Sequence, residues 1–469
     1  MKKTKIICSI GPSTQTWENF KGIVEAGMNV ARINFSHATM EERRLDESLV
    51  KRAREELGAN IAILYDTKGP DLRTCNFVND KIELVKGKTI RIVETDDENE
   101  EGTEEKIHLN YKGVLKDLQV GSPILLDDGF YKLIVTSVES DGVTCEIQNS
   151  GTIKSRRGVC MPGVKLDVPY VSEKDEDDIK YACENDGDYL AISFVNSADD
   201  IRQVKDLCAR YGKPNMPIIS KVETQYAMDN LEEIVEASDY IMVARGDLGI
   251  ETGVENLPLY QQKMIDMCHA HGKGVIMATQ MMYSMKTNIR PTNAEVTDVA
   301  NAVLAGCDAI MTSDETTIGN YPVETIQTMS SICENVEQIT KYNLDDYKLK
   351  GTEIHNTIAK LAVESTKDLP IKTIVVSTLT GKTAWDVSSL RPNSFILANV
   401  TEEKVARSLA LKWGVYTNIV PMYEDTDTIV NHGVEAAQEV MNLEKGDLIA
   451  VVGGFPKDSH TNFLKIQDI

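Results

Sequence analysis

A lysine and two carboxylates stand nearest to chemistry in this sequence. The apolar run I-I-S-K-V-E ends on Lys221 and Glu223, and the run Y-I-M-V-A-R-G-D-L-G brings Asp247 to its own tip. Residues two apart on a strand share a face, so Lys221 and Glu223 point the same way. Set on parallel neighbouring strands, two carboxylates and an ammonium converge on one small volume. Bare carboxylates placed like that repel and raise each other's pKa, which makes a hard divalent cation, Mg²⁺ or Mn²⁺, the economical companion. A Lys-Glu-Asp ion-pair network closing a barrel end explains the same residues without any chemistry, and the three alone leave both readings open.

The elements that must position them follow an α/β rhythm. Strands are predicted at 5–10, 29–35, 61–67, 189–195, 218–223, 240–247, 274–279 and 309–313, each followed by a helical pattern. Eight such units, with Val/Ile-rich strands buried on both faces, predict a closed (β/α)₈ TIM barrel. Between the third and fourth units, short strands split by turn signals predict a small β-barrel lid with no helix. The expected organisation is a catalytic barrel over 1–68 and 168–342, a lid over 69–167 and a C-terminal open α/β domain over 343–469, whose helices include 352–366 and 402–413.

In such a barrel, chemistry gathers where the strands end. Polar residues do collect there: Arg32, Asn34, Ser36 and His37 after the second strand, and Asp66 and Thr67 after the third. Thr279 and Gln280 follow the seventh, and Ser313 and Glu315 the eighth. In the C-terminal domain, Ser377, Thr378, Thr380, Gly381, Lys382 and Thr383 span a strand end and a helix start, where hydroxyls and backbone N–H groups hold phosphates. A plain βα turn with an N-cap fits that segment equally well.

With 50 lysines and arginines against 73 acids, the chain has a formal net charge of −23. That balance argues against binding nucleic acid or an anionic membrane through bulk charge, and favours small anions held in local basic pockets. The nine cysteines form no C-x-x-C pair. Reduced packing thiols in a cytoplasm fit them better than disulfides or a zinc site. The first apolar run is broken by Ser9, Gly11 and Pro12, so it reads as a core strand rather than a signal peptide, and no run reaches membrane-spanning length.

Longer motifs resemble the pyruvate kinases: A-R-I-N-F-S-H at 31–37, D-T-K-G-P-D-L-R-T at 66–74, P-G-V-K-L-D-V-P at 162–169, S-K-V-E at 220–223, V-A-R-G-D-L-G-I-E at 243–251, A-T-Q-M-M at 278–282 and P-T-N-A-E-V-T-D-V-A-N-A-V at 291–303. They occur in the family's order across nearly the whole chain, which makes the match far more specific than a lone glycine-rich loop. The resemblance implies transfer of the phosphoryl group of phosphoenolpyruvate to ADP, giving pyruvate and ATP in glycolysis. It implies Mg²⁺ (or Mn²⁺) on Glu223 and Asp247, and K⁺ on Asn34, Ser36, Asp66 and Thr67. Lys221, Arg32 and Arg73 would face the phosphoryl group, Thr279 would help protonate the enolate, and Ala244, Arg245 and Gly246 would bind the substrate with Thr279. Pro12, Arg32, Asn34, His37 and Arg157 match the nucleotide side, and Asp127 and Asp128 would face the barrel mouth from the lid. A homotetramer and an allosteric effector at 377–383 are further expectations.

Several positions leave the family pattern. Asp71 stands near the expected monovalent site, Asp314 adds a charge at the mouth, and Asn196, Tyr226, Ala227 and Asn293 replace the usual residues. The late glycine-rich loop is degraded to G-G-F-P-K-D-S-H-T-N, which predicts weak or altered allosteric activation. Two other readings stay open: a metal-dependent aldolase or lyase on a related barrel, and a non-catalytic regulator that binds phosphoenolpyruvate or nucleotide.

Overall fold

A computed structural model of the chain describes residues 1–95, 97, 99–164, 168–349, 353–422, 425–454 and 460–469. Its strands Lys5–Ser9, Val30–Asn34, Ala62–Asp66, Tyr189–Ile192, Ile218–Val222, Tyr240–Ala244, Gly274–Ala278 and Ala309–Thr312 are parallel and close into a barrel. Closure is made by the first strand, where Lys5 pairs with Ala309 and Ile7 with Val30. Ile7, Leu64, Ile219, Met242 and Ile276 fill the interior, while their neighbours Ile6, Ile63, Ile218, Ile241 and Val275 pack beneath the helices. That two-sided burial is why each strand reads as an unbroken apolar run. Capping boxes at Thr39/Glu42, Ser172/Asp175, Ser197/Asp200 and Thr292/Glu295 start the helices that follow, each satisfying free N–H groups of the first turn.

Among its described residues the insertion is all β, apart from one 3₁₀ turn at Val78–Asp80. Six strands pair in the order Val159–Cys160, Pro123–Leu126, Tyr131–Glu139, Gly142–Ile147, Thr89–Glu94 and Lys106–Leu109, around a core of their own. The segment at 72–75 bridges the two outer strands, Arg73 pairing with Gly158 and Thr74 with Leu109, so the sheet curls around its core as the small barrel expected. A separate hairpin-like pair, Lys81–Leu84 with Gly151–Lys154, flanks it.

The C-terminal sheet runs Val415–Ile419, Phe395–Val400, Ile371–Ser377, Leu448–Gly453 and Phe463–Asp468, with the last strand antiparallel. The sequence reading stopped before that last strand. The helix expected over 402–413 ends at Ser408. Beyond it, Ala410 and Leu411 turn into the open bottom of the barrel and join its interior core together with Trp385. Tyr189 and Tyr240 form the floor they meet, with Tyr240 and Trp385 edge-on at 5.2 Å. Only glycine fits at position 274, where a Cβ would collide with the Tyr240 ring. Ala410 and Leu411 therefore plug another domain instead of extending a helix. The expected helix start at Thr352 lies outside the described residues, and the helix is present over Ile354–Asp368.

Candidate active site

The C-terminal ends of the barrel strands bring Lys221, Glu223, Asp66 and Arg32 together. Lys221 Nζ lies 3.2 Å from Glu223 Oε1 and 3.5 Å from Asp66 Oδ1, and donates to Ser193 Oγ at 2.8 Å. Arg32 grips Asp66 Oδ2 through Nε at 2.7 Å and Nη2 at 2.6 Å, and its Nη1 donates to Ser9 Oγ at 2.8 Å. Strand register makes this possible, since Asn34 and Asp66 are direct partners on the second and third strands. Phe194 N–H donates to Glu223 Oε2 at 2.6 Å. Asp247 is not at a strand tip as expected. The strand stops at Ala244 and Asp247 sits in the first turn of the helix Arg245–Thr252, where the helix dipole favours a negative charge.

The charges shape one another. Burial alone would lower the Lys221 ammonium, but Asp66 and Glu223 outweigh it and hold the group above the ordinary lysine range. Burial would raise Asp66, and Lys221 and Arg32 overcome it, so Asp66 stays ionised. Glu223 goes the other way, with burial pushing it up to about 7 and Asp247 adding to the rise against the pull of Lys221. Asp247 is also raised, first by burial. Its residue surface is open to the cleft while protein surrounds it on the other sides, which reconciles its accessibility with the desolvation. Two raised carboxylates in one cleft, one of them with no hydrogen bond or ion pair to another side chain among the described residues, form a donor set that a divalent cation relieves. The described residues hold no group of three or more His, Cys, Asp or Glu side chains able to bind a metal alone. A cation there would fill its remaining positions with substrate oxygens or water.

Asn34, Ser36, His37, Arg73, Ala244, Thr279 and Ser313 line the same cleft, and burial followed by Arg73 and Arg32 lowers the His37 pKa. Thr279 has φ +64°, in the left-handed region that a β-branched residue avoids, and its Oγ1 accepts from Gly246 N at 3.1 Å. Arg245 turns its guanidinium away from the cleft, to Asp298 Oδ2 at 2.6 Å, the Ala278 carbonyl at 3.0 Å and the Thr279 carbonyl. These bonds fix the strained Thr279 turn. Asn34 Oδ1 accepts from Ser36 N at 3.0 Å, and the Thr67 N–H is spent on Ala191. Asn34 and Ser36 line the cleft, whereas Asp66 and Thr67 are buried behind it and Asp66 already balances Arg32 and Lys221.

Asp71 pairs with Arg73, whose Nε lies 2.5 Å from Asp71 Oδ2. Asp314 is likewise neutralised, by Lys286 at 2.8 Å, so it brings no free charge to the mouth. Glu315 is buried and ties loops together by accepting from Met282 N and Ser313 N. Pro12 is exposed and outside the cleft lining, and Arg157 stands on the lid with Nε 3.5 Å from Asp127. Residues Ser377, Thr378, Thr380, Lys382 and Thr383 line a separate cavity in the C-terminal unit together with His355, Asn399 and His460. Gly381 takes φ +81° as the helix cap, and Lys382 is paired with Asp386. The late loop lies outside the described residues over 455–459, as does the 165–167 portion of the P-G-V-K-L-D-V-P motif.

Ser193, Ser9 and the Phe194 N–H are the contributors the sequence reading missed. Ser9 ends the first strand and Ser193 follows the fourth, the two strand ends at which no polar candidate was named, and the motif S-F-V-N marks Ser193. The Ser193 Oγ receives Lys221 and donates to the Thr67 carbonyl at 2.7 Å, so it orients the ammonium. Ser193→Ala should lower kcat by about 10- to 100-fold, the value of a hydrogen bond to a charged group, with little change in thermal midpoint. Steady-state kinetics beside a melting curve check this.

A barrel whose C-terminal mouth gathers a lysine, two arginines and two raised carboxylates beside an inserted sheet defines a (β/α)₈ enzyme with a β insertion. Residues 1–326 match the family described as pyruvate kinase, barrel domain, and residues 356–467 match pyruvate kinase, alpha/beta domain. The chain belongs to the pyruvate kinase family. It is 41% identical to a pyruvate kinase of Staphylococcus haemolyticus over all of this chain and 80% of that protein, and 39% identical to one of Clostridium acetobutylicum over 100% and 99%. A crystal structure of a pyruvate kinase from Cryptosporidium parvum superimposes with a TM-score of 0.92 at 35% identity, covering 100% of this chain and 96% of that one.

Proposed function

We propose that the protein transfers the phosphoryl group of phosphoenolpyruvate to ADP, giving pyruvate and ATP. The observation that carries this reading is the Lys221 ammonium, held by Asp66, Glu223 and Ser193 in a cleft that Arg32 and Arg73 also line. A transferring phosphoryl group spreads negative charge over its oxygens, and fixed cations in a dry cleft stabilise that charge with no reorganisation at the moment of reaction. In this reading Lys221 and Arg32 flank the moving group and Arg73 reaches it from the lid junction. The bond from phosphorus to the enol oxygen breaks, a bond to the terminal oxygen of ADP forms, and the enolate carbon takes a proton delivered by way of Thr279. Ala244 and Gly246 offer backbone to the substrate carboxylate, and His37 and Arg157 face the nucleotide. Glu223 and Asp247 would hold Mg²⁺ (or Mn²⁺), whose charge when bound favours the substrate carboxylate and the developing enolate oxygen. Asn34, Ser36, Asp66 and Thr67 would hold K⁺.

The reading includes a catalytic barrel over 1–68 and 168–342, a lid over 69–167 that excludes water, and a C-terminal regulatory domain over 343–469. The cavity at 377–383 would take an effector, with an altered response because Lys382 is engaged by Asp386. A cytoplasmic homotetramer working in glycolysis completes it. No described helix is long and apolar enough to cross a membrane.

A coupled assay for pyruvate tests the reading. Turnover should require ADP and Mg²⁺, should rise with K⁺, and should fall by at least about 10³-fold when EDTA removes the divalent cation. Ligand binding with no ATP formed would favour the regulator, and ADP-independent pyruvate formation the lyase.

A further inference from the structure

The helix Arg245–Thr252 does more than present Asp247. One turn further on, Glu251 reaches the segment by which the chain returns from the lid to the barrel. Its Oε2 accepts from the Cys160 thiol at 3.0 Å and its Oε1 from the Gly163 N–H at 3.0 Å. Ile250, beside it, lies against the lid loop at Gly129, where a Cβ would meet Ile250 Cγ2 at 3.4 Å. Residues four apart share a helix face, so Asp247 and Glu251 point into the same seam between lid and barrel, and both line it. Burial and the Glu251 charge raise the Cys160 thiol, which keeps its proton and remains a donor.

We propose that Glu251 is a positioning residue: its carboxylate latches the return segment of the lid to the helix that carries Asp247, so that lid position and metal-site geometry move together. No other carboxylate oxygen among the described residues accepts from that segment between Cys160 and Val164. Glu251 touches neither the phosphoryl group nor the cations, and acts through the lid and Asp247. The inference rests on the proposed reaction for its kinetic consequence only.

The test uses the full chain and two independent readouts. In Glu251→Ala, amide hydrogen exchange over 159–164 should accelerate at least about tenfold, because two hydrogen bonds to a charged acceptor are lost. The KM for ADP should rise by about tenfold while kcat changes by less than about threefold, as expected when the closed lid is less populated. Cys160→Ser, which keeps a donor, should behave as the unaltered protein, and Cys160→Ala should fall between them. Unchanged exchange in Glu251→Ala, or a fall in kcat with no change in exchange or KM, would overturn the latch. Should Glu251→Ala not fold, the Cys160 pair decides, and equal exchange in the serine and alanine variants overturns it. If the unaltered protein forms no ATP from phosphoenolpyruvate and ADP, the reaction reading fails while the exchange measurement still decides the latch.

Discussion

Lys221→Met should reduce phosphoryl transfer by at least about 10³-fold in kcat while the protein still folds and binds Mg²⁺. Removing one neutral oxyanion-hole donor costs about 10²–10³-fold, and a full charge aimed at a phosphoryl group in a dry cleft is worth more. Methionine keeps much of the aliphatic stem, so packing changes little. The electrostatics shift locally: Asp66 keeps both Arg32 contacts on its Oδ2, whereas Glu223 loses its only ion-pair partner among the described residues and rises further. That makes a divalent cation between Glu223 and Asp247 more welcome in the variant. Mn²⁺ titration followed by magnetic resonance, beside the coupled assay, separates the two effects. Retained turnover with intact Mn²⁺ binding would refute the role of Lys221 in transfer.

Arg391→Met should cost about 3–5 kcal/mol of stability, the penalty for leaving one member of a buried ion pair alone. Arg391 and Asp308 are 4% and 1% exposed, so solvent does not screen them. Nη2 lies 2.8 Å from Asp308 Oδ2 and donates to the Gly306 carbonyl at 2.8 Å, while Nη1 donates to Asp308 Oδ1 at 3.2 Å. The pair joins the C-terminal unit to the end of the barrel where the eighth strand begins. Burial would raise Asp308, but Arg391 and then Lys412 hold it below the usual carboxylate range. Lys412 tempers the loss. It is buried with its ammonium over the Trp385 and Tyr240 rings, and burial pushes it down to about 7, a value partly recovered once Arg391 no longer repels it. The effect therefore belongs at the lower end of that range. Chemical denaturation measures it, and adding Asp308→Asn should restore most of the lost stability, because the uncompensated charge then disappears.

Much of this protein is legible without coordinates. The barrel follows from eight apolar runs too short for helices and too continuous for half-exposed strands, a pattern that only a sheet covered on both faces explains. The positions of Lys221, Glu223, Asp66 and Arg32 follow in turn, because parallel strands of a barrel deliver their C-terminal residues to one rim. Short-range chemistry such as the capping boxes is equally local and equally readable.

What the sequence does not determine is which charges neutralise which. Asp314 and Asp71 look like free carboxylates at the mouth until Lys286 and Arg73 are seen beside them. Arg245 sits in a motif expected to bind substrate, yet its guanidinium leaves the cleft, because Asp298 and two carbonyls on the neighbouring strand end lie within its reach. Ala410 and Leu411 lie in a stretch with the composition of a helix and become a plug, since the open barrel floor gives them an apolar core to join. Side-chain direction and the company of a distant segment decide these outcomes. Local spacing holds no information about either, so only the tertiary structure set Ser193 on Lys221 and Glu251 on the lid.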